Sequence, residues 1–205
     1  MSNESVVGGQ ASRVRTAGAR DETAVAAVLA RAFHADPVFS WLIPDPAARA
    51  VRLPRLFALF FRTDGDAGMR LLAAGGHAAT LWRAPGRATT GGLEVLRALV
   101  PLASVFRGGL GRAFQVSSAV EAHFPPQPFW YLHIAGCDPA HQGQGLGSAA
   151  VRAGLDRVAG RLPAYLETAA EANLSFYQAL GFGVVSDWRV GVDGPRFWSM
   201  LRPRG

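Results

Sequence analysis

Asp138-Pro139-Ala140-His141-Gln142-Gly143-Gln144-Gly145-Leu146-Gly147-Ser148 is the stretch on which the fold turns. It follows an apolar run, Phe129 to Cys137, that reads as a strand, and it opens a helix reaching about Ala159. A glycine-rich turn at a helix N-terminus presents free backbone N–H groups and the positive end of the helix dipole, so it is suited to holding phosphate. Three readings compete for it. A P-loop requires Lys after its last glycine, and the chain contains no Lys. A dinucleotide fingerprint is met in part: Gly145, Gly147 and Ala150 fit G-x-G-x-x-A, and Glu167 lies where a ribose-binding acid would sit. Against it, the residues Asp138 to Gln142 separate strand from turn, and too little chain follows Glu167 to complete such a sheet. A glycine-rich turn with no ligand is the third reading.

The neighbouring segments set the context. Downstream, Pro163 to Glu167 reads as a second strand, parallel to the first by the crossover rule. A helix over Glu171 to Leu180 ends at Gly181 as its C-cap, and strands about Val184 to Val190 and Arg196 to Leu201 pair across Asp193-Gly194. Upstream, Val14 to Ala17 is a short strand, and Asp21 caps a helix from Glu22 to Phe33 that Asp36-Pro37 breaks. Helix follows over Pro46 to Arg62, with Pro54 as a kink or boundary. Met69 to Ala74 and His77 to Trp82 form a hairpin around Gly75-Gly76. Residues 91–121 are helical with Gly108-Gly109 between, and a Pro-rich stretch follows from Phe124 to Pro128. The pattern is α/β with a mixed sheet.

Composition narrows the class. A chain of 205 residues, 49% hydrophobic, predicts one domain over residues 13–205 with a proper core, behind a flexible tail over residues 1–12. The net charge of +6 comes from 21 basic residues, all Arg, against 15 acids. They are scattered without a run of three, which argues against a nucleic acid partner. The single Cys137 excludes an internal disulfide and a cysteine zinc cluster, and no metal is expected. A reduced, cytoplasmic setting fits that cysteine usage. Residues 1–12 lack the charged start and apolar run of a signal peptide. The apolar stretches 53–61 and 95–106 are too short to cross a bilayer, so no membrane partner is expected.

The stretch from Asp138 to Gly147 resembles the acyl-CoA signature Q/R-x-x-G-x-G/A of the GNAT N-acetyltransferase superfamily, with Gln142, Gly145 and Gly147 at its core. A second hallmark stands at the matching distance: Leu166-Glu167-Thr168, Asn173 to Tyr177, then Leu180-Gly181-Phe182. The resemblance implies a GNAT fold, with a mixed central sheet of about six to seven strands flanked by helices. It also implies a splayed cleft for acetyl-CoA. Backbone from Gln142 through Gly143, Gln144, Gly145, Leu146 and Gly147 to Ser148 would hold the diphosphate. The pantetheine arm would pair along Ala135, Gly136 and Cys137. Residues 85–128 would be an insertion covering the acceptor site.

Acetyl transfer to an amine moves two protons, and the resemblance places Tyr177 as the acid that reprotonates the departing thiolate. Asn173, four residues earlier on the same expected helix face, would hold the cofactor beside it. Glu167 is the candidate base, with His133 as an alternative that the resemblance does not support. Cys137 is read as packing rather than nucleophile, and His141 as a loop contact beside phosphate. Asp36, Trp41, Trp130, Tyr131 and His133 are candidates to line the acceptor pocket, with Asp36 and Asp45 available to attract a cationic amine. Arg152 and Arg157 are expected near the CoA 3′-phosphate.

The expected function is acetyl-CoA-dependent N-acetylation of a small-molecule primary amine, antibiotics included, by direct attack in a ternary complex. Protein or peptide acetylation, or non-catalytic acyl-CoA binding by a regulator, are the alternatives. Monomer and homodimer are both open.

Overall fold

A computed structural model describes residues 14–89, 91–158, 160 and 162–204. The tail expected over residues 1–12 lies outside them. The strands are β1 (Val14–Thr16), β2 (Gly68–Ala73), β3 (Ala78–Arg83), β4 (Trp130–Cys137), β5 (Ala164–Thr168), β6 (Gly183–Arg189) and β7 (Arg196–Arg202). They form one seven-stranded sheet in the order β1-β2-β3-β4-β5-β7-β6. Adjacent strands are antiparallel except β4 and β5, the parallel pair that the crossover connection requires.

The helices are α1 (Glu22–Ala32), α2 (Pro37–Leu42), α3 (Pro46–Ala67), α4 (Gly92–Phe106), α5 (Leu110–Ala122), α6 (Leu146–Val158) and α7 (Leu174–Gln178). Strand alternation divides the core between the two sheet faces. Leu72, Ala79 and Leu81 pack with Val25 and Leu29 of α1 and Leu53, Phe57 and Phe61 of α3. Trp82 and Leu132 pack with Val151 and Leu155 of α6, and Leu71, Ala73 and Ala78 pack with its Ala149, Ala150 and Ala153. Gly154 permits that approach, since a Cβ there would lie 2.5 Å from the Trp82 ring.

One irregularity positions the site. Ile134 pairs with Leu81 and Leu132 with Trp82, so His133 is an extra residue in a β-bulge. In a regular strand Leu132 and Ile134 would share a face. Here Leu132 packs on the α6 side and Ile134 on the α1/α3 side.

Four local expectations need correction. Asp36-Pro37 starts helix α2 rather than ending structure, because the Asp36 carboxylate accepts from Val38 N–H (2.8 Å) and Phe39 N–H (3.3 Å) and Pro37 takes the first helical position. Helix α3 runs through Pro54 and on to Ala67. An interior proline costs about 3 kcal/mol. The fully buried Leu53, Leu56, Phe57 and Phe61 stabilise the same helix by about 1.5–3 kcal/mol each, so packing wins. Asp21 precedes α1, but its carboxylate accepts from Arg15 (2.7 Å) and Gly18 N–H (2.8 Å) instead of capping the helix. The helix expected over 171–180 is a 3-10 turn at Glu171–Asn173 followed by the short α7. Gly181, at φ +87°, lets Phe182 N–H close on Tyr177 C=O (3.1 Å).

Candidate active site

Strands β4 and β5 pair only at Trp130/Ala164 and Tyr131/Tyr165, then diverge. The outer edge of β4 beyond Tyr131 therefore faces an opening, and the N-terminus of α6 lies at its mouth. One cavity of about 1130 Å³ runs from that glycine turn, along Ala135 to Cys137, into a chamber walled by α2, α3, α4 and α5. Gly136 lets α1 cross beneath this strand, since a Cβ there would sit 2.8 Å from Leu29.

Of the residues expected to hold cofactor, Ala135, Gly136, Cys137, Gln142, Gly143, Gly145, Leu146, Gly147, Ser148, Asn173 and Tyr177 line the cavity, and Gln144 does not. Gly143 and Gly145 adopt φ of +77° and +75°, a conformation that L side chains rarely take. Ala149 N–H makes the first helical bond, to Gly145 C=O (2.9 Å), so the N–H groups of the preceding turn are not used by α6. Asp138 anchors the turn: one oxygen accepts from Ala140 N–H (3.1 Å) and the other pairs with Arg31 (2.8 Å). His141 stacks on His77 with ring centroids 3.5 Å apart. Arg152 and Arg157 do not line the cavity, and Arg157 donates to Ala153 C=O (2.7 Å).

Tyr177, Glu167 and Asn173 also line the cavity. Tyr177 is buried between Phe176 and Phe182, and burial, with the nearby Asp36 charge, pushes its phenol up. Asn173 lies in the 3-10 turn rather than on the helix with Tyr177, and its amide donates to Thr168 Oγ1 (3.3 Å). Burial pushes Glu167 up to about 8, although the Tyr131 and Tyr165 hydroxyls and its own backbone N–H favour its charge. Its Oε1 is buried with no hydrogen-bond partner among the described residues. The Cys137 thiol is pushed up by burial and by Asp138, and it donates towards the Asp138 and His141 carbonyls, both at 3.7 Å. That is the setting of a packed thiol rather than a nucleophile.

Glu167 yields a pH prediction. Its folded pKa lies above the unfolded value near 4.3, so the native state binds the extra proton and the stability it confers is lost as pH rises from about 4.3 through 8. Glu167→Gln, which mimics the protonated carboxyl, is expected to match wild-type thermal stability near pH 5 and exceed it near pH 9. Melting curves at the two pH values check this, and equal wild-type and variant shifts would contradict it.

Among the acceptor candidates, Asp36, Tyr131 and His133 line the cavity, whereas Trp41 and Trp130 do not. Arg112 lies over the Trp41 ring (5.0 Å) beside the α1/α3 core, and Trp130 begins β4 opposite Ala164. Asp36 caps α2 and is pushed up to about 6 by desolvation. Asp45 caps α3 through Ala47 and Ala48 N–H and lies outside this cavity.

The sequence did not single out Asp64 and Arg83. His133 Nδ1 lies 2.6 Å from Asp64 Oδ2, and Arg83 Nε pairs with Asp64 Oδ1 at 3.2 Å. The Asp64 and Arg83 side chains are 0% and 4% exposed, and both line the cavity with His133. Asp64 falls one turn beyond Phe60 and Phe61 on the buried face of α3. An acid on an apolar helical stripe is the available signal, and the expected helix end at Arg62 hid it.

The sheet order, the splayed β4/β5 pair and the glycine turn at α6 define a GNAT fold. The family model described as the acetyltransferase (GNAT) family matches residues 110–182. Among solved structures, the chain is similar to histone acetyltransferase HPA2 and related acetyltransferase from Corynebacterium glutamicum, at 25% identity and TM-score 0.72, covering 94% of this chain and 96% of that one. It also shares its fold with arylalkylamine N-acetyltransferase 2 from Aedes aegypti (13% identity, TM-score 0.60, 94% and 99% covered). Polyamine N-acetyltransferase from Drosophila melanogaster is a third match (16%, 0.56, 93% and 98%). No helix of the described residues is long and apolar enough to cross a membrane.

Proposed function

We propose that the protein transfers acetyl from acetyl-CoA to the primary amine of a small, largely apolar molecule by direct attack in a ternary complex. The observation that carries this reading is the single cavity joining the glycine turn of α6 to an apolar chamber past Tyr177.

The GNAT family uses acetyl-CoA, and the residues here fit that group. Gly145, Leu146, Gly147 and Ser148 line the cavity ahead of the first helical bond of α6, and at Gly143 the place of a Cβ is open space. The outer edge of β4 offers peptide groups for an added strand-like segment. When bound, acetyl-CoA supplies an activated acyl carbon and a thiol leaving group. The turn fixes the diphosphate end without a Lys, and Asn173, held by Thr168, lines the passage beyond it. Tyr177 retains its proton well past neutral pH and lines the same cavity. On the far side, Leu102, Phe106, Phe114, Val116 and Val120 of α4 and α5 give an apolar wall, so the 85–128 segment serves as the acceptor cover. Glu121 of α5 is the acid in that wall, and Asp36 at the start of α2 lines the same cavity.

Three stretches favour an aminonucleoside-like acceptor: Phe129 to Leu132, Tyr165 to Thr168 and Gly194 to Arg196 resemble puromycin N-acetyltransferase. The arylalkylamine and polyamine enzymes that share the fold act on small amines by name, in keeping with this class. The histone acetyltransferase named for the Corynebacterium protein supports a second reading, a peptide acceptor. Cytoplasmic residence fits the lone reduced cysteine.

The test is thiol release from acetyl-CoA against puromycin, arylalkylamines, agmatine and a histone-tail peptide. Release with apolar small amines supports the proposal, and release with the peptide alone supports the second reading. Tight CoA binding without turnover points to a regulator. Gly145→Ala is expected to weaken acetyl-CoA roughly 5–30-fold by calorimetry, because left-handed backbone costs a Cβ-bearing residue about 1–2 kcal/mol. Unchanged affinity would remove the turn from the cofactor site.

A further inference from the structure

We propose that His133, oriented by Asp64, is the general base that takes the proton from the attacking amine. The inference rests on the transfer reaction proposed above. Three features of the molecule carry it.

The first is the hydrogen bond from imidazole Nδ1 to Asp64 Oδ2, at 2.6 Å. A carboxylate accepts only, so Nδ1 carries the hydrogen and Nε2 of the neutral ring keeps its lone pair. The second is placement. His133 is the bulged residue of β4, just past the last β4/β5 pair, and it lines the same cavity as Tyr177 and the glycine turn. The Phe60 ring, 4.9 Å away, and the Tyr131 ring, 5.4 Å away, hold the imidazole plane. The third is charge balance: Asp64 is wholly buried, and Arg83 offsets it from the side opposite His133. A carboxylate contacted on both oxygens is fixed in place, and through Nδ1 it sets the tautomer and orientation of the ring.

The charged and titratable groups facing His133 are Asp64 from α3, Arg83 from β3, Tyr131 from β4 and, beyond Tyr131, Glu167 from β5. Glu167 carries its own proton until about pH 8, so at neutral pH it is poorly placed to accept another.

The proton and electron accounting closes. The neutral amine's lone pair forms the new C–N bond while the C–S electrons leave on sulfur. Nitrogen gives its proton to His133 Nε2, and Tyr177 gives its hydroxyl proton to sulfur. One proton then returns from the imidazolium to the phenolate through solvent. His133 is thus a catalytic residue, and Asp64 and Arg83 are positioning residues.

The experiment has two arms. In the first, 15N-histidine NMR of the wild type reads the His133 tautomer without any substrate. An Nδ1–H ring whose preference weakens in Asp64→Asn is expected, and an Nε2–H ring in the wild type overturns the proposal. In the second, His133→Gln is expected to lower kcat about 10²–10³-fold with acetyl-CoA affinity unchanged, and free imidazole should partly restore His133→Ala. Loss of the acidic limb of the kcat/KM profile in His133→Gln, with that limb kept in Glu167→Gln, completes the expected pattern. If the wild type turns over an amine and His133→Gln keeps half its kcat, the base assignment falls while the function stands. If no amine is turned over, the function falls and takes the base role with it, whichever tautomer NMR reports.

Discussion

Tyr177→Phe is expected to lower kcat by about 10²–10⁴ while leaving the acetyl-CoA dissociation constant within about threefold of wild type. The two halves of that result come from one geometry. Phe keeps the ring, and the ring is what packs between Phe176 and Phe182 at the cavity wall. The hydroxyl alone disappears, and with it the proton meant for the departing sulfur. Burial and the Asp36 charge keep this phenol protonated over the whole working range. Its titration therefore should not appear as an alkaline limb in the wild-type profile below about pH 10. Burst experiments with the phenylalanine variant should show slowed chemistry rather than slowed release. A kcat within threefold of wild type would mean that Tyr177 is only a wall, and that solvent reprotonates the thiolate.

Arg83→Leu is expected to cost about 3–5 kcal/mol of stability, by the general cost of leaving a buried charge uncompensated. The side chain removed is 4% exposed and faces a carboxylate with no exposure at all. Its loss leaves Asp64 facing His133 without the guanidinium and removes the donor to Ala88 C=O, at 3.1 Å. For a domain of this size the midpoint of thermal unfolding should fall by roughly 6–20 °C. Arg83→Lys, which keeps the charge but not the fork, should fall between the two. An Arg83→Leu midpoint within 2 °C of wild type would show that the Arg83–Asp64 pair contributes little to the fold, and would weaken the orienting role given to Asp64.

Legibility in the sequence followed the range of each signal. The glycine turn, the strand before it, the crossover and the β2/β3 hairpin are each carried by one contiguous stretch of chain, and each stands where the pattern placed it. Asp36-Pro37 misled because the same dipeptide ends one helix and starts another, and only the free N–H groups of Val38 and Phe39 decide. Pro54 misled because local cost was weighed without the tertiary packing of Phe57 and Phe61. In the site, the cofactor side was readable as one contiguous motif. The acceptor side was not. Trp41 and Trp130 were chosen for aromaticity, and neither reaches the cavity. Asp64 and His133 meet across 69 residues of chain, and nothing in either neighbourhood points to the other.

The extra residue in β4 also bears on how this chain can change. Upstream of His133 the strand answers to the aromatic cluster of Phe124, Phe129 and Tyr165, and downstream to the packing of Gly136 on α1 and to the turn. A strand with regular alternation would couple those demands, since any shift of one half would turn over the other. The bulge absorbs the phase instead. The acceptor walls on α3, α4 and α5 can therefore be rebuilt for a different amine while the segment from Ala135 to Ser148 stays in register. Specificity and donor chemistry are inherited as separable blocks on one continuous strand.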